Sequence, residues 1–523
     1  MRSRRLSFWI KVGLLAAVVA VADALVYVRD GGPVAISLFS LAWVAALAIA
    51  NPAVLRDRLG RLALLAATLL ALLPLEAVSL PGVLLFLIAG AVAALAPRAP
   101  RGDDAWRWAQ RVGFAGLKGL IGPILDLSRL AKARTRIRST LRLSKALLAT
   151  LLPVAGGLTF LFLFISANPV LTAALRSVQA PEPDVFRLFF WAFVAVPVWM
   201  ALRPRGLRRT LRTPGLEGDL KLAGVTTTSI LASLVVFNLV FAVQNGLDLV
   251  YLWSGAGLPK GVSFSEYAHQ GAQPLIATAL LAGLFVLVFL RPGSSTALDP
   301  RVRVLVIAWV AQNLFLVAST ALRTVDYVQA YSLTEARIVA LLWMALVATG
   351  LALICWRLLA GKSSSWLINT NIAALGVVLA ICSVVDLGAL SSAWNVRHAR
   401  EVGGRGVALD LCYLDNQGMA ALVSLAELER DPRVPPELKV RAGNVRRVIA
   451  TDAQVDRKSW LRWTFRDQRR WDRAHDLIGP SGWAYAERRD YRCDGHHIPE
   501  TRTAPAPAAP ATPPLTPSAN PGT

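Results

Sequence analysis

The stretch IVALLWMALVATGLALICWRLL at residues 338–359 carries one charged residue, Arg357. The hydrocarbon core of a membrane is about 30 Å thick, and about 20 helical residues cross it. Inside lipid every backbone amide needs a partner within the protein, and a helix supplies one to each. This stretch therefore predicts a transmembrane helix.

Further long apolar runs occur on both sides of it. The predicted spans are residues 9–28, 34–50, 62–80, 83–96, 146–165, 186–202, 223–243, 274–290, 302–322, 338–359 and 372–390. Of the 523 residues 17% are charged, compared with about a quarter in soluble domains. We expect an all-α, polytopic transmembrane helix bundle over residues 1–390, with about 11 spans and a range of about 10 to 12.

The charges are distributed as in a membrane protein. The chain has a net charge of +23, but only 20 of its 56 Lys and Arg residues lie after residue 390. When the spans alternate from a cytoplasmic N-terminus, about 30 bases fall in inner segments and about six in outer loops, as positive-inside orientation requires. We expect a cytoplasmic N-terminus, an extracytoplasmic C-terminus and no nucleic-acid partner.

The predicted inner segment 103–145 interleaves bases with apolar residues, which indicates an amphipathic helix on the inner leaflet. Its basic cluster consists of Arg129, Lys132, Arg134, Arg136, Arg138 and Arg142. Such a cluster can bind anionic lipid head groups. The alternative is an orientation signal without a specific ligand.

The apolar runs end at Leu390, and residues 391–500 predict a small, mainly helical extracytoplasmic domain. This domain contains Cys412 and Cys493, whereas Cys355 and Cys382 fall inside apolar spans. An oxidising compartment permits a disulfide between the first two. Residues 501–523 are rich in Pro, Ala and Thr, which predicts a disordered tail.

Ionisable residues inside spans are costly and mark candidate sites. The candidates for a polar membrane site are Asp23, Glu76, Asp248, Arg323, Asp326 and Asp386, accompanied by Asn238, Gln244, Asn245, Gln312 and Asn313. Most lie near the predicted outer ends of their helices, where they could line an outward-facing cavity that binds a cation or a proton. The alternative is local pairing in the head-group region, for example of Arg323 with Asp326.

The predicted outer loop, residues 245–272, has turn-forming residues at Gly255, Gly257, Pro259 and Gly261. Polar and aromatic residues surround the turn, and the candidates for a site are Tyr251, Glu266, Tyr267 and His269. We expect either a re-entrant element or lid over the bundle, or an ordered outer loop with interfacial aromatic residues.

The sequence offers little catalytic material. His496 and His497 follow Cys493 closely, but no second pair of metal ligands stands at a suitable spacing. Phosphate-loop, GxSxG and HExxH patterns are also missing from the sequence. We therefore predict no catalytic residues, no metal site and no cofactor.

Several stretches resemble an uncharacterised bacterial multi-pass membrane family, a domain of unknown function of the 4173/4153 type. They are QNGLDLVYLW from Gln244, LPKGVSFSEYAHQGA from Leu258, PLIATALLAG from Pro274, VADALVY from Val21, NVRHA from Asn395, LDLCYL from Leu409 and SWLRWTFRDQRRW from Ser459. The resemblance implies a bacterial inner membrane, and it brings neither an activity nor functional residues. The pair Cys412 and Cys493 is a departure from the family's pattern.

Three classes of function suit these features. The first is an envelope sensor, scaffold or assembly factor, because an outer domain can bind a partner while the bundle anchors it. The second is a transporter or ion-coupled permease with an outward-facing polar site, although the sequence shows no inverted repeat. The third, a membrane-embedded enzyme, lacks a recognisable nucleophile or metal set.

Overall fold

A computed structural model describes residues 2–29, 31–100, 102–120, 184–205, 226–254 and 293–498, with isolated positions at 122, 126, 210 and between 278 and 291. In this part of the chain, nine helices are long and apolar enough to cross a membrane. They are Phe8–Tyr27, Pro33–Ala50, Arg58–Leu75, Leu80–Arg98, Val185–Leu202, Thr227–Trp253, Pro300–Tyr331, Glu335–Ala360 and Ser364–Val384. The protein is thus an all-α, polytopic helix bundle.

Each of these nine helices coincides with one of the predicted spans. The other two predictions, residues 146–165 and 274–290, lie wholly or mostly outside the described residues. The same holds for the basic cluster between Arg129 and Arg142, for Glu266, Tyr267 and His269 of the outer loop, and for the tail 501–523.

The helices are numbered here in chain order. They are α1 Arg2–Ala22, α2 Pro33–Ala50, α3 Arg58–Leu72, α4 Leu80–Leu95, α5 Ala105–Leu120, α6 Val185–Leu202, α7 Thr227–Asp248, α8 Pro300–Tyr331, α9 Glu335–Ala360, α10 Ser364–Val384, α11 Leu387–His398, α12 Leu411–Gln417, α13 Leu422–Arg430, α14 Pro436–Arg457 and α15 Phe465–Ile478. Short π-helical turns extend α1 to Tyr27 and α7 to Trp253, and a one-turn helix, Ser295–Leu298, precedes α8.

The helix starts follow from local capping chemistry. The Asp57 side chain accepts a hydrogen bond from the Gly60 amide at the start of α3, and Ser79 accepts one from Gly82 at the start of α4. Thr226 and Ser229 form a reciprocal capping box at the start of α7. These side chains satisfy amides that have no partner within the helix.

The end of the last span differs from the prediction of residues 372–390. Helix α10 begins at Ser364 and ends at Val384, and Asp386 then caps α11 by accepting a hydrogen bond from the Ala389 amide at 3.0 Å. Leu387 and Leu390 therefore belong to the next helix. Hydropathy does not register this break, because these leucines continue the apolar composition across it.

Helix α5 is the described part of the predicted amphipathic segment, and it packs against α4, α6 and α10. The Ala105 amide donates to Asn369 Oδ1 at 2.8 Å, and the Ser365 hydroxyl donates to Asp104 Oδ2 at 3.0 Å. These bonds fix the start of α5 to the start of α10.

Residues 387–498 form a helical unit with its own apolar core, hereafter the C-terminal domain. Its core contains Val396 of α11, Leu414 of α12, Leu425 of α13 and Ile449 of α14. The structure joins Cys412 and Cys493 in a disulfide, with Cα atoms 4.6 Å apart. This bond ties the first part of the domain to its end.

Candidate ligand site between the bundle and the C-terminal domain

The C-terminal domain lies against one end of the bundle, which we call the domain face. The two parts are in close contact at Gly32, just before α2, where an added Cβ would stand 2.5 Å from the Cα of Arg462. Glu76 and Val384 also belong to this face, because both accept hydrogen bonds from the domain. The other end of the bundle, where Asn51 and Leu202 lie, we call the opposite face.

Helix α15 supplies the cations of this junction. Thr464 starts the helix by accepting a hydrogen bond from the Asp467 amide at 2.9 Å. Arg466 and Arg470 are four residues apart and therefore project from the same face of the helix. Arg466 donates to Glu76 at 3.3 Å and to the Val384 carbonyl at 2.6 Å, while Arg470 is paired with Asp386.

The charge state of Glu76 depends on Arg466 and on Arg469, which also belongs to α15. Its partial burial alone would raise the pKa of the carboxyl, but hydrogen bonds from Arg469 and Arg466 lower it below the ordinary value of 4.5. Docking of the domain therefore favours the ionised carboxylate.

Acid is expected to weaken this docking. The pKa of Glu76 is lower in the docked state than its ordinary value of 4.5. The ionised carboxylate therefore contributes fully to the stability of docking at pH values above 4.5, and this contribution is lost as the pH falls through the pKa of the docked state. Hydrogen exchange of the α15 amides between about pH 7 and about pH 3 measures the effect. The Glu76→Gln variant should exchange faster at neutral pH and lose this part of the acid dependence. A pH profile identical to that of the natural chain would contradict this role.

A second junction joins α11 to the turn between α8 and α9. The Asn395 side chain accepts a hydrogen bond from the Leu333 amide at 2.7 Å and donates one to the Leu333 carbonyl at 2.8 Å. In this turn Ser332 has a φ of 69°, an uncommon conformation for a residue other than glycine. Asn395 thus pairs with both backbone groups of Leu333 and stabilises the turn.

Between these junctions lies a crevice of about 660 Å³, the junction crevice. Its domain end is charged and contains Glu76, Glu335, Asp386, Arg466, Asp467 and Arg470. Its membrane side is apolar and contains Val339, Leu342, Trp343, Leu375 and Leu379. Trp343 is 44% exposed and Val339 is 48% exposed, so the apolar wall is open to the surroundings of the bundle. An amphipathic molecule could place its polar part at the charged end and its apolar part along the apolar wall.

The structure does not gather the six candidate ionisable residues into one cavity. Glu76 and Asp386 lie in the junction crevice, whereas Asp23 pairs with Arg187 at 2.6 Å and accepts a hydrogen bond from the Trp191 indole at 2.8 Å. Asp23 therefore joins α1 to the start of α6. This arrangement is the local pairing that the sequence left open as an alternative.

Asp248 and Arg323 form an ion pair between α7 and α8, and their side chains are 1% and 6% exposed. Gln244 also donates to Asp248, at 3.1 Å. The ion pair of Arg323 that the structure shows is therefore with Asp248, whereas the sequence suggested Asp326. Both residues of the suggested pair belong to α8, but the Arg323 side chain reaches across to α7. Asp326 follows Arg323 by three positions in α8 and does not line the junction crevice.

Removing the cation of this pair is expected to be costly. The Arg323→Gln variant leaves the buried Asp248 carboxylate without its ion-pair partner, which should destabilise the bundle by about 3 kcal/mol. Thermal unfolding of the purified protein in detergent measures this loss. The double variant Asp248→Asn, Arg323→Gln is the control, since it removes both charges and should recover part of the stability. Equal stability of the natural chain and Arg323→Gln would contradict the prediction.

The amide residues singled out in the sequence line the same α7 and α8 interface. Gln312 donates to Asn238 at 2.7 Å, and Asn245 donates to the Gln312 carbonyl at 3.1 Å. Asn313 is fully buried and donates to the Trp309 carbonyl. Within lipid, such bonds between helices replace the hydrophobic effect as a source of specificity.

Of the outer-loop candidates, only Tyr251 is among the described residues. It lies in the π-helical turn after α7 and is 37% exposed. His496 pairs with Asp494 at 2.9 Å, and the described residues contain no group of three or more side chains suited to a metal.

Sequence reasoning missed the residues that build the junction, namely Gly32, Asn395, Arg466 and Arg470. The spacing of Arg466 and Arg470 on one helical face was an available signal. No local feature of the sequence indicates that Arg466 pairs with Glu76, 390 positions away, or that Arg470 pairs with Asp386, 84 positions away. Such partners emerge only from the three-dimensional arrangement.

Comparison with curated proteins and with solved structures gives no match to this chain. The model of a protein family described as a domain of unknown function, DUF4153, matches residues 62–428. This segment includes the resembling stretches from Gln244 to Leu409, whereas those from Val21 and Ser459 lie outside it. It ends within α13, before Cys493 and α15. The chain is therefore a multi-span membrane protein that belongs to the DUF4153 family.

Proposed function

We propose that this protein is an envelope sensor or scaffold of the bacterial inner membrane, and that its junction crevice is the ligand site. The observation that carries the proposal is the crevice itself. It combines charged groups of both signs on the domain side with an apolar wall on the membrane side. A ligand with a polar head and an apolar part would contact the bundle and the domain together.

The contacts of the domain support a sensing role. Arg466 and Arg470 cross the junction to Glu76 and Asp386, all four of which line the crevice. A ligand that competes for these groups would change how firmly the domain docks. Binding of that kind shifts the equilibrium between docked and undocked states by its differential affinity for them.

The proposed orientation places the domain outside the cell and the N-terminus in the cytoplasm. Arg56 precedes α3, and Arg58 and Arg61 lie in its first turn, all on the opposite face, which supports a cytoplasmic location for that face. The disulfide supports an oxidising compartment for the domain.

Thiol labelling tests the orientation. Cys355 and Cys382 are first replaced by Ala, and a membrane-impermeant thiol reagent is then applied to intact spheroplasts. Labelling that requires reduction, but not membrane rupture, supports an outside domain. Labelling that requires membrane rupture would place the domain in the cytoplasm and overturn the proposal.

A crevice-filling variant tests the function. Leu379→Trp should fill the apolar wall of the crevice, so a deletion strain carrying it should lose complementation at normal protein abundance. Val377→Trp is the matched control, because Val377 lies in the same helix, is 58% exposed and does not line the crevice. Full complementation by a chain truncated after residue 386 would show that the domain is dispensable and refute a sensor role.

An ion-coupled permease is a second candidate, supported by one observation. In the described part of the chain, the buried oxygens Asn245 Oδ1, Asp248 Oδ2, Gln312 Oε1 and Asn313 Oδ1 have no hydrogen-bond partner. They lie along α7 and α8, and oxygen groups of this kind suit a cation or a proton. Cation or proton flux into proteoliposomes that is abolished by Asp248→Asn would favour this candidate over the sensor.

A further inference from the structure

The opposite face of the bundle brings together three cations from three helical segments. Lys11 lies in α1, Arg98 ends the short helical turn after α4, and Arg203 follows α6. The Lys11 ammonium donates to the Leu202 carbonyl at 2.8 Å and to Asn51 Oδ1 at 3.2 Å. Arg98 and Arg203 are close enough to act on Lys11 electrostatically.

The carboxylates described in this region do not balance these charges. Arg203 shares Asp126 with Arg205, and the Arg203 contact is 2.8 Å long. Among the described residues, Lys11 and Arg98 have no carboxylate partner. Among the described residues, the ion pairs of these four cations thus involve a single acid, Asp126, and a bound anion would relieve the repulsion between the cations.

An apolar cavity of about 290 Å³ lies beside this group of cations. Its walls come from α2, α4, α5 and α6 and include Leu47, Leu87, Ala94, Met200 and Pro204. Pro204 directly follows Arg203, and the lining residue Leu95 precedes Arg98 by three positions. Arg98 and Arg203 therefore lie close to the part of the cavity wall that Leu95 and Pro204 form.

Glycines keep this cavity open. Gly90 of α4 and Gly116 of α5 both line it, and a Cβ added at either position would meet no atom within 4 Å. Their missing side chains leave an open slot between the helices. A slot with apolar walls and cations beside it suits an acyl chain attached to an anionic head group.

We propose that this cavity binds an anionic phospholipid, with its phosphate on Lys11, Arg98 and Arg203 and an acyl chain between α4 and α5. Basic pockets between transmembrane helices are a recurring form of lipid recognition. This site is separate from the junction crevice, which lies at the other end of the bundle, and it uses other residues than the basic cluster between Arg129 and Arg142.

The test uses the full-length protein, delipidated in detergent, and measures its thermal unfolding as phosphatidylglycerol is added. Phosphatidylglycerol should raise the unfolding temperature of the natural chain, and phosphatidylcholine should raise it much less. Each cation near a membrane surface contributes about 1 kcal/mol to anionic lipid binding. The affinity should therefore fall about fivefold in Lys11→Gln and in Arg98→Gln.

Two matched controls separate the parts of the site. Arg61→Gln removes an exposed cation of the same face outside the group, and it should leave the affinity unchanged. Gly116→Leu should fill the slot and abolish the lipid effect, whereas Gly113→Leu, in the same helix with open space around it and no place in the lining, should not.

Three results would overturn the proposal. The first is an equal effect of phosphatidylglycerol and phosphatidylcholine. The second is an unchanged affinity in both Lys11→Gln and Gly116→Leu. The third is an equal stabilisation by inorganic phosphate alone, which would show an anion site that needs no acyl chain.

Discussion

The Gly32→Ala variant is expected to separate the C-terminal domain from the bundle. The added Cβ would stand 2.5 Å from the Arg462 Cα and 2.6 Å from the Leu461 carbonyl oxygen. Both atoms belong to backbone, so no side-chain rotation relieves the clash. At Gly119, by contrast, the nearest atoms belong to the flexible Met200 side chain. The domain must move to accept one methyl group at Gly32.

Hydrogen exchange in α15 measures this separation. The amides of α15 should exchange faster in Gly32→Ala, while those of α14, inside the core of the domain, should keep their protection. Gly13→Ala is the matched control, because its added Cβ meets no atom within 4 Å. Unchanged exchange in α15 of Gly32→Ala would mean that the contact at Gly32 does not govern docking.

Loss of the disulfide is expected to destabilise the C-terminal domain itself. Cys412 and Cys493 are 81 positions apart, so the bond closes a long loop of the unfolded chain. On the chain-entropy model, a loop of this length contributes roughly 4 kcal/mol. The Cys493→Ser variant should lose about that much from the free energy of unfolding of the domain, as measured by hydrogen exchange of the α14 amides.

Reduction provides an internal comparison for this prediction. The natural chain treated with a reductant should exchange its α14 amides as fast as Cys493→Ser does. Cys355→Ala, which removes a thiol from α9 and leaves the disulfide in place, should keep the protection of the natural chain. If reduction leaves the exchange of the natural chain unchanged, the disulfide does not stabilise the domain.

The bundle was predictable because its signal is local. An apolar run long enough to cross lipid identifies its helix without reference to any other part of the chain. The exception is the end of α10, because α10 ends at Val384 and the side chain of Asp386 caps the start of α11 amid continuous apolar residues. Composition does not register such a break, whereas hydrogen bonding does.

The candidate site was predictable only in part. Glu76 and Asp386 stand out as acids near span ends, but their role depends on Arg466 and Arg470, far away in the chain. Asp23 and Asp248 gave the same signal in the sequence, and in the structure they pair with Arg187 and Arg323 of neighbouring helices. An isolated charge in a span indicates that a partner exists, and only the fold shows whether that partner is a ligand or another helix.

The docking at the domain face joins two parts of the chain that are far apart in sequence, since Glu76 meets Arg466 across 390 positions. Ribosomes make the N-terminal helices first, so the surface around Gly32 and Glu76 stays bare until α15 has been synthesised. Docking of the domain can therefore take place only after translation has passed α15.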